Sequence, residues 1–399
     1  MVSSSLKTIL FSSLFPNEQE PSLGIFVENR LRHLIQHFPV DCRVIAPVPF
    51  FPLKGEIFGR YGRMAAIALQ EERAGLTIDH PRFLAVPKVG MRLTPLTLAQ
   101  AGIRAMERLR QQGFDADLID AHYLYPDGVA AARVARHFGK PFVLTARGSD
   151  VTEIADYPFA WKQMRQAIKA AGRVITVSRS LKRALVTKGV DPATVTVLRN
   201  GVDLQRFSPT RRAETRAALG LRGPVLLYVG WLIPRKRLDL VLAATAAHTQ
   251  VTTLIVGTGP DAGRLEKQTQ ALNIADRVYF LGAKKPAELA PLYSAADVLL
   301  LPSDREGWAN VLLEAMACGT PVVTRDVGAG ADLVTSDTAG RIAAAGTADA
   351  VADAVGKILR DPPRREDTRR FAEGFGWEET SAGQWNIFQG LVDCHDRCA

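Results

Sequence analysis

The chain has 399 residues, 47% of them hydrophobic and 23% charged, with a formal net charge of +9 and a mean hydropathy of +0.01. This is the make-up of a folded globular protein long enough for two cores, and it excludes disordered and fibrous chains. No apolar run approaches the roughly 20 residues that span a bilayer.

The basic excess is uneven. Residues 1–200 carry a net charge of +10 and residues 201–399 a net charge of −1. A diffuse basic half suits an anionic membrane surface or a phosphate-bearing substrate. Nucleic acid is not expected as a partner, because no zinc-finger spacing, RNP-like run or dense Lys/Arg stripe accompanies the charge. The four cysteines, Cys42, Cys318, Cys394 and Cys398, form no CxxC pair. That pattern suits a reducing cytoplasm. Cys394 and Cys398 stand one helical turn apart, but no second half-site lies near them, so no metal is expected.

In chain order, Lys7 opens a short apolar run that ends in Pro16-Asn-Glu-Gln-Glu20. No small-residue cleavage site follows, so it reads as a first buried strand and its loop, not a secretory signal. The loop 12–24 leads through Pro16, Pro21 and Gly24 into a helix at 26–37. Further strands are expected at 42–46, 118–121, 142–145, 173–177 and 196–198, with helices at 97–112, 128–138, 160–171 and 180–188 between them. Asn200-Gly-Val-Asp and Pro209 break the pattern without a period of their own. Strands then recur at 225–229, 253–256, 278–281, 298–301 and 321–324, with helices at 211–219, 238–245, 262–272, 286–295 and 348–359. Residues 361–370, rich in Pro, Arg and Asp/Glu, read as an exposed linker. Continuous apolar strands alternating with helices argue for parallel sheets covered on both faces, in two doubly wound α/β domains.

Two segments carry chemistry. In the first, a polar loop with Glu306 and Gly307 feeds a helix expected to start at Asn310 as N-cap and to stop at Gly319. Free N–H groups and the positive dipole end at such a helix start suit a diphosphate. Glu306 and Glu314 can accept hydrogen bonds from hydroxyls on either side of it. In the second, a buried strand ends at Gly230, where the backbone can approach a ligand closely. Arg235 and Lys236 then follow as cations for diphosphate oxygens.

Glu306, seven residues, and Glu314-Ala-Met-Ala-Cys-Gly-Thr-Pro-Val-Val323 together resemble the donor-site signature of family 4 of the GT-B glycosyltransferases. The resemblance spans about twenty ungapped residues in a strand–loop–helix context. It implies the GT-B arrangement, two Rossmann-like domains facing across a cleft. These would be an acceptor-side domain at 1–200, a nucleotide-sugar domain at 201–375 and a helical segment at 376–399, around Trp377 and Trp385, that crosses back to the first domain. Val229-Gly-Trp-Leu-Ile-Pro-Arg-Lys236 is similar to the family's Val-Gly-Arg-Leu-x-x-x-Lys segment. Lys236 falls on the phosphate-binding Lys, whereas Trp231 replaces the family's Arg, and Arg235 is the candidate stand-in.

The same resemblance assigns Gly257 and Gly259, in Val256-Gly-Thr-Gly-Pro260, to the turn bordering the nucleotide, and the segment ending at Lys284 to the base. His122, in Asp120-Ala-His-Tyr-Leu-Tyr-Pro-Asp-Gly128, falls at the cleft mouth against the donor sugar or its phosphate. Thr145-Ala-Arg-Gly-Ser-Asp150 resembles a segment in which the family carries His where Arg147 stands. Asp150 either binds an acceptor hydroxyl or caps a helix, and Arg147 is a candidate for an acceptor phosphate. Gly24 matches the glycine at which the first loop meets the diphosphate.

The resemblance therefore implies a retaining, metal-independent hexosyl transfer from a UDP- or GDP-type sugar, with no other cofactor. The acceptor is expected to be a glycan or polyprenyl-linked glycolipid of bacterial capsule, exopolysaccharide or teichuronic-type assembly, at the inner face of the cytoplasmic membrane. Lys236, Gly307 and the backbone at Asn310 and Val311 would cradle the diphosphate. Glu306 would hold the sugar and Glu314 the ribose, with Glu306, His122 and Lys236 forming the catalytic set. Two other functions share the same motifs: a sugar-nucleotide epimerase and a non-catalytic sugar-nucleotide-binding partner. Residues 50–64, which mix aromatics with Lys54, Arg60 and Arg63, suit either a packed acceptor-side loop or a membrane interface.

Overall fold

The computed structural model describes residues 5–85 and 90–398. The chain divides into two compact units, one made of residues 1–199 and 378–399, the other of residues 200–377.

The first unit is built on an eight-stranded sheet. Its order is Val195–Val197, Arg173–Thr176, Phe142–Ala146, Leu118–His122, Leu6–Phe11, Val40–Ile45, Leu76–Asp79 and Gln70–Arg73. All neighbours are parallel except the last pair, which is antiparallel. The two strands at 70–79, Gln70–Arg73 and Leu76–Asp79, contain no continuous apolar run. A two-stranded parallel ribbon, Val48–Pro49 with Arg82–Phe83, sits beside the sheet. The five residues of Leu118–His122 and of Phe142–Ala146 are all buried, as strands covered on both faces require.

The last helix, Glu378–Cys398, belongs to this unit. Its Phe388 is 1% exposed among Leu34, Leu118, Val143 and Ile175, and Trp385 stacks on Phe38 at 5.4 Å between centroids. Trp377 falls in the second unit.

The second unit is a six-stranded parallel sheet in the order Val278–Gly282, Thr252–Val256, Val225–Val229, Val298–Leu301, Val322–Arg325 and Gly340–Ala343. The chain winds outward from Val225–Val229 in one direction, then returns to its other side. The crevice between Val225–Val229 and Val298–Leu301 is therefore the topological switch point of a doubly wound sheet.

The segment read as a linker is corrected by the structure. Arg365–Glu373 forms a helix with Thr368 and Ala372 buried. Arg365 donates to the carbonyls of Ser294, Ala296 and Cys318, and Arg369 to those of Phe207 and Ala317. These arginines close strand and helix ends that would otherwise leave buried acceptors unpaired, so their charge is structural. Cys42, Cys318 and Cys394 carry free thiols. Among the described residues no helix is long and apolar enough to cross a membrane.

Candidate functional site

In the second unit, the three turns at the carboxyl ends of neighbouring strands interlock through their backbones. Gly230 N–H donates to Val256 O at 2.9 Å, Gly257 N–H to Gly282 O at 2.9 Å, and Leu232 N–H to Thr258 O at 2.9 Å. A Cβ on Gly257, whose φ is +139°, would lie 1.8 Å from Gly230 O, and one on Gly259 would lie 2.3 Å from Leu232 O. Only glycine allows this approach.

Across the switch point, the loop after Leu301 brings Glu306 to Lys236. Lys236 Nζ donates to Glu306 Oε1 at 2.5 Å, with the two side chains only 15% and 11% exposed. The ammonium carries three protons, so this contact leaves two for another acceptor. Gly328, which motif reading missed, holds the loop in place. Its φ is +57°, and a Cβ there would fall 1.8 Å from Glu306 O.

Arg235 is half-buried and donates to the carbonyl of Arg305 at 3.4 Å. Trp231 is 64% exposed, with its carbonyl accepting from Tyr228 Oη at 2.9 Å. Lys284 follows the edge strand of the sheet and pairs with Glu288 at 3.8 Å.

The helix after the loop runs Asn310–Ala317 with Ala309 as its N-cap. Asn310 is thus its first helical residue, not the cap, and its Oδ1 accepts from Asn200 Nδ2 at 3.3 Å. The amides of Asn310 and Val311 have no intrahelical partner, as at every helix start. In the same loop Ser303 Oγ and Trp308 Nε1 are buried without a partner. Glu314, one turn into the helix, accepts from Tyr293 Oη at 2.7 Å. Burial pushes its pKa up to about 7 against the lowering effect of that bond. Tyr293 carried no signal in the sequence beyond its place on a helix.

The first unit's switch point lies between Leu6–Phe11 and Leu118–His122. Here Asp127 accepts from the Ser13 amide and from Ser13 Oγ, the latter at 3.0 Å, and burial raises its pKa to about 7. Gly24 takes a left-handed φ of +63°, and a Cβ there would lie 2.1 Å from Leu14 O, so this glycine is required by the folding of its own loop.

His122 is not at a solvent-facing mouth. It is 1% exposed, with Nε2 on Asp120 Oδ2 at 3.0 Å and Nδ1 accepting from the guanidinium of Arg147. That pairing fixes the Nε2–H tautomer, and burial pushes the imidazole pKa down to about 4. The chain of bonds continues from Asp120 Oδ2 to Gln384 Nε2 at 2.9 Å, and from Gln384 Oε1 to Arg30 Nε at 2.6 Å, tying the last helix to the strand ends. Asp150 is fully buried. Its carboxylate accepts from the amides of Leu124, Arg147, Gly148 and Val151, so in this structure it closes a turn. Among the described residues no group of three or more His, Cys, Asp or Glu is arranged to hold a metal.

The second unit is thus a doubly wound α/β sheet with a Lys–Glu pair at its switch point, and the first unit is built on a second such sheet. Residues 211–375 match the family model described as Glycosyl transferases group 1, and residues 57–206 match that described as Glycosyltransferase Family 4. The chain is 33% identical over 296 residues to a D-inositol 3-phosphate glycosyltransferase of Frankia alni, covering 67% of this chain and 72% of the relative. It is 30% identical over 332 residues to the putative teichuronic acid biosynthesis glycosyltransferase TuaC of Bacillus subtilis, covering 81% and 82%. Among solved structures it resembles the Anabaena protein HepE in complex with UDP, with a TM-score of 0.74 at 20% identity over 97% of this chain and 100% of that one. The chain belongs to the family 4 glycosyltransferases of GT-B fold, and its activity is glycosyl transfer.

Proposed function

We propose that the second unit binds a nucleotide diphosphate sugar and that the enzyme transfers its sugar, with retention at the anomeric carbon, to a polyprenyl-linked glycan of bacterial surface polysaccharide assembly. The observation that carries this reading is the Lys236–Glu306 pair at the switch point, 2.5 Å long, in the loop that leads to the helix Asn310–Ala317. The two remaining ammonium protons of Lys236, with the amides of Asn310, Val311 and Gly307, face the diphosphate. Glu306 accepts from sugar hydroxyls and Glu314 from the ribose. As the bond from the anomeric carbon to oxygen breaks, the diphosphate leaves with the electron pair and the sugar becomes cationic. Donors fixed at that diphosphate stabilise the charge where it grows.

The positioning role in the first unit falls to the His122–Arg147 contact. Arg147 stands where the family carries His, and its charge adds to the burial that holds His122 neutral. Support for the donor class comes from the UDP held by HepE. Support for the acceptor class comes from the teichuronic acid role named for TuaC. The other named relative acts on D-inositol 3-phosphate, which makes that compound the competing acceptor.

The test is incubation of the purified chain with UDP- and GDP-sugars and either a short polyprenyl-diphosphate glycan or D-inositol 3-phosphate. Proton NMR of the product then reads the anomeric configuration. An α-linked product from an α-linked donor on the lipid acceptor is expected. Inversion, transfer only to the inositol phosphate, or a sugar isomerised while still on its nucleotide contradicts the proposal.

A further inference from the structure

We propose that Gln384, on the last helix, is a positioning residue for the transfer reaction: it holds Asp120 on His122 and thereby fixes the guanidinium of Arg147 at the first unit's strand ends. The inference rests on the proposed role of the His122–Arg147 contact and deepens it. Gln384 is 1% exposed, on a helix that also buries Thr380, Ser381 and Phe388. A helix seated by packing alone would carry an apolar residue there, as it does at Phe388, because a buried amide costs free energy unless both of its ends are paired. The seat is close: a Cβ on the neighbouring Gly383 would meet Leu198 Cδ2 at 2.6 Å.

The donors and acceptors of this chain are settled by its two arginines. A guanidinium only donates, so the Gln384 atom facing Arg30 Nε at 2.6 Å is the carbonyl oxygen, and the amide nitrogen faces Asp120 Oδ2 at 2.9 Å. By the same rule His122 Nδ1 offers a lone pair to Arg147, and Nε2 carries the proton that goes to Asp120 Oδ2 at 3.0 Å. One carboxylate oxygen thus takes both bonds. Asp120 Oδ1 and Arg30 Nη2 are buried with no hydrogen-bond partner among the described residues, while Arg30 Nη1 is held on Leu198 O at 3.0 Å. Burial lowers the Arg30 pKa to about 10, and the Asp120 charge acts against that, so the two ions attract each other. Gln384 stands between them, bonded to each. It keeps the carboxylate turned to the imidazole instead of to the Arg30 guanidinium.

The consequence reaches Arg147. Its guanidinium lies over the Phe26 ring at 5.2 Å, in the first turn of the helix that follows Gly24. The His122 lone pair is an acceptor that fixes it there. If Asp120 turns to Arg30, the imidazole proton is free to move to Nδ1. An N–H then faces the guanidinium, and Arg147 loses that hold. A cation at strand ends stabilises negative charge on a substrate most when its position is fixed beforehand.

The experiment compares the full chain with Q384M, which keeps the side chain's length and removes both bonds, with H122Q and with T380V. Thr380 Oγ1 donates to Arg199 O at 2.5 Å on the same helix but outside the chain of bonds, so T380V controls for helix docking. Proton–nitrogen NMR of histidine-labelled protein at about pH 7.5 reads the imidazole tautomer, with H122Q identifying the His122 signal. Wild type and T380V should show the Nε2–H form, and Q384M the Nδ1–H form or a mixture. Transfer is assayed from UDP- or GDP-sugar to a short polyprenyl-diphosphate glycan. Q384M should lose at least about tenfold in kcat, with KM for the nucleotide sugar within about twofold of wild type. Q384N, too short to span both partners, should behave as Q384M and replaces it where Q384M does not fold. A wild-type tautomer or a wild-type kcat in the folded Gln384 variant overturns the proposal, as does an equal loss of kcat in T380V. If H122Q itself keeps the wild-type kcat, the His122–Arg147 reading fails and this one with it. A loss in H122Q with none at Gln384 overturns this proposal alone.

Discussion

Replacing Lys236 by Met tests whether the short pair with Glu306 is an energetic unit as well as a contact. With Lys236 gone, the Glu306 carboxylate, 11% exposed, loses its charged partner at 2.5 Å. Removing one partner of a buried pair costs about 3–5 kcal/mol, and the residual exposure here puts the loss near the lower end, at about 3 kcal/mol. For a unit of this size that lowers the midpoint of thermal unfolding by roughly 6–12 °C. Glu306→Gln alone costs less, about 1 kcal/mol, because the ammonium left behind can turn toward water on its flexible stem. The double variant K236M/E306Q carries no stranded charge, so it should be more stable than K236M by about 1–2 kcal/mol. It should nevertheless stay inactive, and its affinity for nucleoside diphosphate should remain at least about tenfold weaker than wild type, since a charge-assisted bond is worth about 1.5–3 kcal/mol. Calorimetry of the four proteins gives the cycle. If the double variant is as unstable as the two single losses added together, the pair is not coupled and the reasoning fails.

Gly257→Ala should destabilise by more than about 3 kcal/mol and abolish nucleotide binding, since its Cβ meets Gly230 O at 1.8 Å and its φ is +139°. Gly263→Ala, on an open helical face with nothing within 4 Å, is the control and should be neutral or stabilising in the same melt. Asp127 has its pKa raised to about 7, so its contribution to stability is full below about pH 4 and is lost as pH rises through about 7. His122 acts in the opposite sense: with its pKa lowered to about 4, its contribution is present above about pH 6.5 and is lost as pH falls through about 4. Asp127→Asn should therefore leave a stability curve that rises from pH 4 to 6.5, whereas an unchanged profile in denaturant titrations counts against a neutral buried Asp127. Trp231→Arg restores the cation that the family carries at this position and should tighten nucleoside diphosphate binding about tenfold, with stability changed by less than about 0.5 kcal/mol at this exposed site. Titration calorimetry showing no gain removes position 231 from the phosphate path.

The two doubly wound sheets were legible because parallel strands buried on both faces are unbroken apolar runs, as at 118–122 and 225–229. The antiparallel edge at 70–79 was not, since all four residues of Gln70-Glu-Glu-Arg73 are polar or charged and offer no apolar run of their own. The helix Arg365–Glu373 was hidden by its charges, because the carbonyls that Arg365 and Arg369 satisfy lie 47–165 positions away along the chain. Motif spacing located Lys236, Glu306 and Glu314, but nothing local to them announced Tyr293 or Gly328, which act on the site only through the fold. His122 and Asp150 were placed on the right strand ends, yet their surroundings turn them inward. His122 Nδ1 is occupied by the very residue, Arg147, that departs from the family pattern.

The central claim is that the switch point of the second unit holds a nucleoside diphosphate. Thermal shift of the purified protein with UDP, GDP and ADP, repeated on Glu314→Ala, tests it most directly. Stabilisation by one of the three, lost in the variant, is the expected result, and it identifies the base. Equal stabilisation of wild type and variant by all three, or of neither by any, contradicts the account of Glu314 and Lys236 as the donor site.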